Sequence, residues 1–226
     1  MSQKFFITSS GTGVGKTLVT ASLAYQLRTK GKTVSVIKPA ITGYVDGDMG
    51  SDTAFLLQSM GLPVNPATVQ TVSPWRFKAP FAPNISAAQE GREVVFDEVM
   101  KFCNQERASE ITLIEGVGGV MAPLTDMHTM LDWMQALACP AIVVAGTYLG
   151  AISHALTAGE VLRARGIPVQ AVVVSESAKS ALSLQDTVTE LKKFFPSANC
   201  IAPLPRVAGE EKLWERTADL TWALSW

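Results

Sequence analysis

Along the chain, short unbroken apolar runs alternate with longer stretches whose apolar positions recur every three to four residues. The runs are KFFIT at 4–8, TVSVI at 33–37, ITLIE at 111–115, AIVVA at 141–145 and VQAVVV at 169–174, with a weaker one near 199–202. Runs of this length and composition, bounded by glycine, proline and small polar residues, read as buried strands. Their continuity, without an in/out alternation, fits a parallel sheet covered on both faces. Helices are predicted over 15–30, 51–60, 96–105, 130–138, 150–165 and 183–194, and a last one over 210–225. Leu18, Ala21, Leu23, Ala24 and Leu27 form the apolar stripe of the first, which Lys30 and Gly31 stop. Strand–helix alternation of this kind builds a doubly wound α/β domain: one mostly parallel sheet flanked by helices, expected to span residues 1–226 as a single domain. The segment 61–83, with Pro63, Pro66, Pro74, Pro80 and Pro83, is the least regular and is expected to be loop.

Composition changes this picture little. With 226 residues the chain can bury a substantial core, and 19 Lys and Arg against 20 Asp and Glu leave no basic stripe for nucleic acid. No apolar run is long enough for a bilayer span, and the opening MSQKFFITSS reads as no export leader, so a cytoplasmic protein is expected. Cys103, Cys139 and Cys200 are odd in number and widely spaced, consistent with ordinary buried thiols in a reducing compartment. His128 and His154 make no metal cluster with them, and no Ser-His-Asp or Cys-His spacing offers a nucleophile.

The candidate chemistry lies at strand ends. Gly11, Thr12, Gly13, Val14, Gly15, Lys16 and Thr17 follow the first strand and open the first helix. That is the setting of a phosphate loop, whose backbone N–H groups and helix N-terminus face the anion. Ser10 stands where GxxxxGK[ST] has its first glycine, but Gly11, Gly13 and Gly15 still allow the turn. Lys16 is placed to neutralise β- and γ-phosphate oxygens and Thr17 to ligate Mg²⁺. Glu115 closes the third strand before Gly116, Val117, Gly118 and Gly119, at the carboxyl edge where such sheets bind ligands. Lys38 is delivered to the same edge by the second strand. Asp52 reads equally as a helix-start charge or as a second metal carboxylate.

These residues resemble the dethiobiotin synthetase family. TGVGKT (12–17), KPAITG (38–43), GSD (50–52), APFAPNISAAQEG (79–91), IEGVGG (114–119), LDW (131–133) and LGAISHAL (149–156) occur in the family's order, and the likeness fades after about Val174. The resemblance implies an ATP- and Mg²⁺-dependent ring closure of 7,8-diaminononanoate with CO₂ through a carbamate and its mixed anhydride with phosphate. By motif, it implies Thr17, Asp52 and Glu115 as the Mg²⁺ set, and Lys38, Lys16 and Thr12 as catalytic groups. Gly13, Val14, Gly15, Lys16, Thr17, Leu18, Asp52, Glu115, Gly116, Val117 and Gly118 fall on the family's nucleotide positions. Ser175, Glu176, Pro205, Arg206 and Val207 fall near its base. Thr12, Lys38, Thr42 and Gly118 fall on the diamine and carbamate positions. Leu149, Gly150, Ile152 and Ser153 match a helix N-terminus that holds the substrate's far carboxylate from a neighbouring subunit, which implies a homodimer. Ser9 stands where the family often has glycine, Ser153 where asparagine is frequent, and Ser175 and Glu176 where it often has Asn-Asp. A ParA/MinD-like ATPase switch is the competing reading, opposed by Gly11 in the slot where that group carries lysine. A related amide-forming ligase of cofactor synthesis is a second.

Overall fold

The computed structural model describes residues 2–195, 201–209 and 211–224. Among the described residues, eight strands and eight α-helices follow in the order β1 (Gln3–Ser9), α1 (Lys16–Thr29), β2 (Val34–Ile37), β3 (Ala40–Thr42), α2 (Asp52–Ser59), α3 (Pro66–Val72), β4 (Trp75–Phe77), α4 (Pro83–Gln89), α5 (Phe96–Cys103), β5 (Ile111–Glu115), α6 (Met130–Leu137), β6 (Ala141–Ala145), α7 (Ala151–Ala164), β7 (Val169–Ser175), α8 (Leu184–Phe194) and β8 (Ile201–Leu204). Six strands form one sheet in the order β2-β5-β1-β6-β7-β8, and every pairing in it is parallel.

Successive side chains of β1 enter opposite cores. Phe6 joins Trp133, Met130 and Leu162 on the face covered by α5 to α8, and stands edge-on to Trp133. Phe5 and Ile7 join Leu23, Leu56 and Leu57 on the face covered by α1 to α3. Burial on both sides is why the strands read as continuous apolar runs. From β1 the chain first builds outward through β2 and β5 and then in the other direction through β6, β7 and β8. The sheet therefore changes direction at β1, and ligand crevices of such sheets open at the carboxyl ends of strands beside that point. No helix among the described residues is long and apolar enough to cross a membrane.

Two expectations are corrected. The segment 61–83 is not one loop. It contains α3, begun by Pro66 and a reciprocal Asn65–Thr68 capping box, and β4, which pairs in parallel with β3 as a second, two-stranded sheet. Pro66 and Pro83 each sit in the first turn of a helix, where a missing N–H costs nothing. The expected helix over 210–225 is, among the described residues, two 3-10 turns, Leu213–Glu215 and Thr221–Leu224; Glu210 and Ser225 lie outside them. The Gln26 side chain of α1 takes the place of helical backbone partners here. Its Oε1 accepts from Leu220 N at 2.8 Å and its Nε2 donates to Ala218 O at 2.9 Å, while Trp214 packs edge-on against Phe55. The weak strand near 199–202 appears as β8; Asn199 lies outside the described residues.

Candidate functional site

The loop from β1 to α1 turns at Gly13 (φ 73°) and Gly15 (φ 99°), both in the left-handed region that favours glycine. Gly15 is the N-cap of α1 and offers no side chain to it, so the first-turn N–H groups stay open to an anion. Positive φ outside glycine is confined, among the described residues, to Ala138 and Lys212. Ser10 thus stands in an ordinary backbone conformation and the loop closes without the first glycine of the motif.

Two strand ends and two helix starts deliver the charged groups. Lys16 opens α1, Lys38 follows β2, Glu115 ends β5 and Asp52 begins α2. The Lys38 ammonium lies 2.6 Å from Glu115 Oε1 and 2.7 Å from Asp52 Oδ2, and the Thr17 hydroxyl donates to the same Glu115 Oε1 at 2.8 Å. Lys38 and Glu115 are buried, whereas the Asp52 side chain is half exposed. Burial alone would lower the Lys38 pKa, but the Glu115 and Asp52 carboxylates outweigh it and hold the ammonium above its ordinary value. Burial pulls the Asp52 carboxyl upward, and Lys38 and Thr17 outweigh that, keeping it below the usual carboxylate range. For Lys16 the balance falls the other way: burial and then the neighbouring Lys38 charge outweigh the pull of Glu115 and Asp52 and bring its pKa down to about 8.

That depression has a sign that can be tested on the ligand-free protein. Between about pH 8 and the ordinary lysine value of 10.5 the unfolded chain keeps a proton that folded Lys16 has released, so this group makes stability rise with pH across that window. Below it, Lys16 is charged in both states and its burial is a constant cost. The melting-temperature gap between wild type and Lys16→Met is expected to shift in favour of wild type from pH 7.5 to 9.5, as followed by thermal denaturation. An unchanged gap would place the Lys16 pKa elsewhere.

A cleft of about 430 Å³ opens over these groups, lined by Thr12, Gly13, Gly15, Lys16, Thr17, Lys38, Thr42, Asp52, Val117 and Gly118 together with Ile41 and Pro80. Most residues singled out in the sequence for phosphate, metal and diamine thus share one cavity. Val14 is buried beneath it, and Leu18 packs against the core on the α1 side. Gly116 is buried next to the Phe6 ring, which a Cβ there would approach to 2.8 Å.

The base-side residues sit beyond the loop rather than in the cleft. A Cβ on Gly15 would lie 2.9 Å from Ser175 Oγ, so Ser175 rests against the back of the phosphate loop. Pairing of β7 with β8 then brings Glu176 to Pro205, Arg206 and Val207: Glu176 N donates to Leu204 O at 3.0 Å and Arg206 N to Glu176 Oε2 at 2.9 Å. Leu149, Gly150, Ile152 and Ser153 stay outside the cleft at the start of α7, with Leu149 86% exposed and Gly150 giving no side-chain cap.

For a divalent ion, the donor set consists of the Thr17 hydroxyl and the Asp52 and Glu115 carboxylates. All are hard oxygens. Glu115 Oε2 is buried without a hydrogen-bond partner, and the Lys38 ammonium bridges the two carboxylates as a cation already does. No group of three or more His, Cys, Asp and Glu is gathered for a metal among the described residues. Two carboxylates and a hydroxyl suit Mg²⁺, which keeps waters and phosphate oxygens in its shell instead of a full protein cage.

Three polar groups near the site are given no role by the sequence, where Ser9 stands only as a departure from the family's glycine. Ser9 touches Lys16, Gly11 and Gly118. Thr147, buried, bonds to Ser177 through both its N–H (3.0 Å) and its hydroxyl (2.9 Å from Ser177 N), and lies 2.6 Å from Ser180 Oγ. This ties the loop that opens α7 to the loop that follows β7 and Ser175. Tyr148 meets His154 at 2.9 Å and packs beside Gly11. Partners thirty or more residues apart, as at Ser9–Gly118 and Thr147–Ser177, leave no local pattern to read.

A family model described as an AAA domain matches residues 3–210. Among curated proteins, the ATP-dependent dethiobiotin synthetase BioD of Methylobacterium nodulans is 45% identical over 193 residues, covering 82% of this chain and 85% of its own length. The protein of the same name from Caulobacter vibrioides is 42% identical over 204 residues, 88% of this chain and 91% of its own. Among solved structures, the MinC:MinD complex of Aquifex aeolicus (TM-score 0.55, 16% identity, 95% of this chain and 86% of that one) and a ParA family ATPase of Chlorobium tepidum (0.52, 12%, 99% and 90%) share the P-loop fold. Fold is common to the switch ATPases and to this chain, but sequence identity over most of its length is to the ligases: the chain belongs to the ATP-dependent dethiobiotin synthetase family.

Proposed function

We propose that the cleft carries out ATP-driven closure of a cyclic urea on 7,8-diaminononanoate, with the residues of this chain in the following roles. One amine of the substrate takes up CO₂ and releases a proton, giving a carbamate. A carbamate oxygen attacks the γ-phosphorus of ATP and ADP leaves. The second amine then attacks the carbonyl carbon and gives up a proton to solvent or to the departing phosphate, phosphate leaves with the C–O bonding pair, and dethiobiotin results. Every step moves negative charge among oxygens within reach of two ammonium groups, so catalysis is positioning and charge neutralisation, and no protein nucleophile is called for.

Lys16 and the open N–H groups of α1 bind the phosphate tail. Lys38, lining the same cleft, meets carbamate and γ-phosphate oxygens, and Thr12 and Thr42 hold the diamine. Thr17, Asp52 and Glu115 would hold Mg²⁺, which when bound neutralises phosphate charge as the leaving group departs. Ser175 and Glu176, with Pro205, Arg206 and Val207, flank the base. Serine offers one hydroxyl where an amide would offer a donor and an acceptor together. The substrate's far carboxylate is assigned to the uncapped start of α7 in a second copy of the chain, at Leu149, Gly150, Ile152 and Ser153, which makes the active unit a homodimer. The exposed Leu149 and the uncapped Gly150 support that assignment. A cytoplasmic setting belongs to the same reading, in keeping with the free, buried thiols Cys103 and Cys139.

The observation that carries the proposal is the convergence of Lys16, Lys38, Thr17, Asp52 and Thr12 on one cleft, with Glu115 buried behind its lining and bound to both Lys38 and Thr17. Its test is mass spectrometry of the protein incubated with ATP, Mg²⁺, bicarbonate and the diamine. Dethiobiotin is expected only in the complete mixture, together with a marked rise in ADP formation over the mixture lacking diamine. ADP formation at the same rate without diamine and bicarbonate would overturn it.

A further inference from the structure

Ser9, the last residue of β1, is completely buried. Its hydroxyl oxygen lies 3.1 Å from Lys16 Nζ, 2.5 Å from Gly11 O and 2.9 Å from Gly118 O. A hydroxyl has one proton and two lone pairs, and an ammonium only donates. The Ser9 proton therefore goes to one of the two carbonyls, and a lone pair faces Lys16. The backbone at the same residue is held as well: Val120 N donates to Ser9 O at 3.1 Å, and a Cβ on Gly119 would come within 3.3 Å of that oxygen. The glycine loops after β1 and after β5 meet at this one side chain.

The two lysines of the cleft are handled differently. Lys38 is ion-paired with Glu115 and Asp52, so its charge is balanced before any ligand arrives. The hydrogen-bond acceptor recorded for the Lys16 ammonium is the neutral Ser9 hydroxyl, and the carboxylates act on Lys16 only through space. A neutral acceptor orients an ammonium without cancelling its charge. A carboxylate in the same place would hold it more firmly and leave less field for an anion.

We infer that Ser9 is a positioning residue for the nucleotide: it holds the Lys16 ammonium at the cleft floor without a carboxylate bonded to it, ready for the phosphate tail. The inference rests on placing that tail at Lys16. It goes further by assigning part of the affinity to a side chain that need not touch the nucleotide. Because the ordering is done before binding, the loss of Ser9 appears in affinity more than in the chemical step.

The test is equilibrium binding of ATP with Mg²⁺, without diamine, by calorimetry on wild type, Ser9→Ala, Lys16→Met and the double variant. A net hydrogen bond to a charged group corresponds to about a tenfold or larger change in affinity, so Ser9→Ala is expected to raise Kd about tenfold. In the Lys16→Met background the same change is expected to cost less than about twofold, since its object is gone. Equal losses in both backgrounds would mean that Ser9 only fastens the loops, and an unchanged Kd in Ser9→Ala would give it no role; either overturns the inference. Nucleotide affinity untouched by Lys16→Met would refute the phosphate placement itself, and with it the route by which Ser9 acts. Ser9→Thr, which keeps the hydroxyl, is expected to retain most of the affinity and serves with Lys16→Met if Ser9→Ala does not fold; a tenfold loss in a folded Ser9→Thr would also overturn the inference.

Discussion

Lys38→Met is expected to lower kcat by about a thousandfold or more, the scale for removing a pre-placed charge from the site where transition-state charge develops. Methionine is chosen because Lys38 is buried, and a truncation to alanine would add a cavity to the loss of charge. Stability should fall too. Glu115 is wholly buried and bonded through one oxygen to Lys38 and Thr17, while its other oxygen has no partner. Removing one member of a buried ion pair leaves the other uncompensated, at about 3–5 kcal/mol where such pairs have been broken. Saturating ATP with Mg²⁺ should return part of the melting temperature, because a ligand that binds only the folded state stabilises it by mass action. Steady-state kinetics and thermal melts with and without nucleotide separate the two effects. Near-normal kcat in a folded variant would remove Lys38 from the chemistry.

Glu115→Gln is the second large effect and isolates charge from shape. Glutamine can still accept from Thr17 and Lys38 through its amide oxygen, so the walls of the cleft should hold. What disappears is one unit of negative charge that, under the proposed metal set, would lie a few ångströms from a divalent ion, worth a few kcal/mol at an effective dielectric constant of about 20. The Mg²⁺ concentration for half-maximal rate is therefore expected to rise about a hundredfold. The amide also places an NH₂ where Glu115 Oε2 already lacks a partner, so a modest drop in melting temperature accompanies it. A magnesium titration of the rate at fixed ATP reads the first effect. An unshifted midpoint would take Glu115 out of the metal set.

Both variants act on groups that were legible before any coordinates, for particular reasons. The candidate groups sit at the carboxyl ends of strands, and those strands are buried on both faces, so they show up as apolar runs ending in a charged or glycine-rich turn. Lys38 after TVSVI and Glu115 at the end of ITLIE are instances. Asp52 was ambiguous because one aspartate at a helix start serves a cap, a dipole or an ion equally well; its 2.7 Å approach to Lys38 resolves which neighbours it has. The 3-10 turns that replace the expected last helix were not legible, because Gln26, almost two hundred residues earlier, bonds the backbone there. Nor was α3 with β4, where prolines that usually interrupt structure stand at positions that begin it.

Sequence by itself determined the strand–helix alternation, the phosphate loop and the residue types at each strand end, since these depend on local periodicity and on steric rules that act within a few residues. Tertiary structure alone decided that Lys38 is paired between two carboxylates while Lys16 is left to a neutral hydroxyl. It also decided that Ser9 joins two glycine loops and that Thr147 ties the α7 loop to the loop after β7. Those contacts link residues as much as a hundred positions apart. Their strength comes from the low-dielectric interior that the folded sheet creates, and no pattern along the chain encodes which buried polar group will meet which.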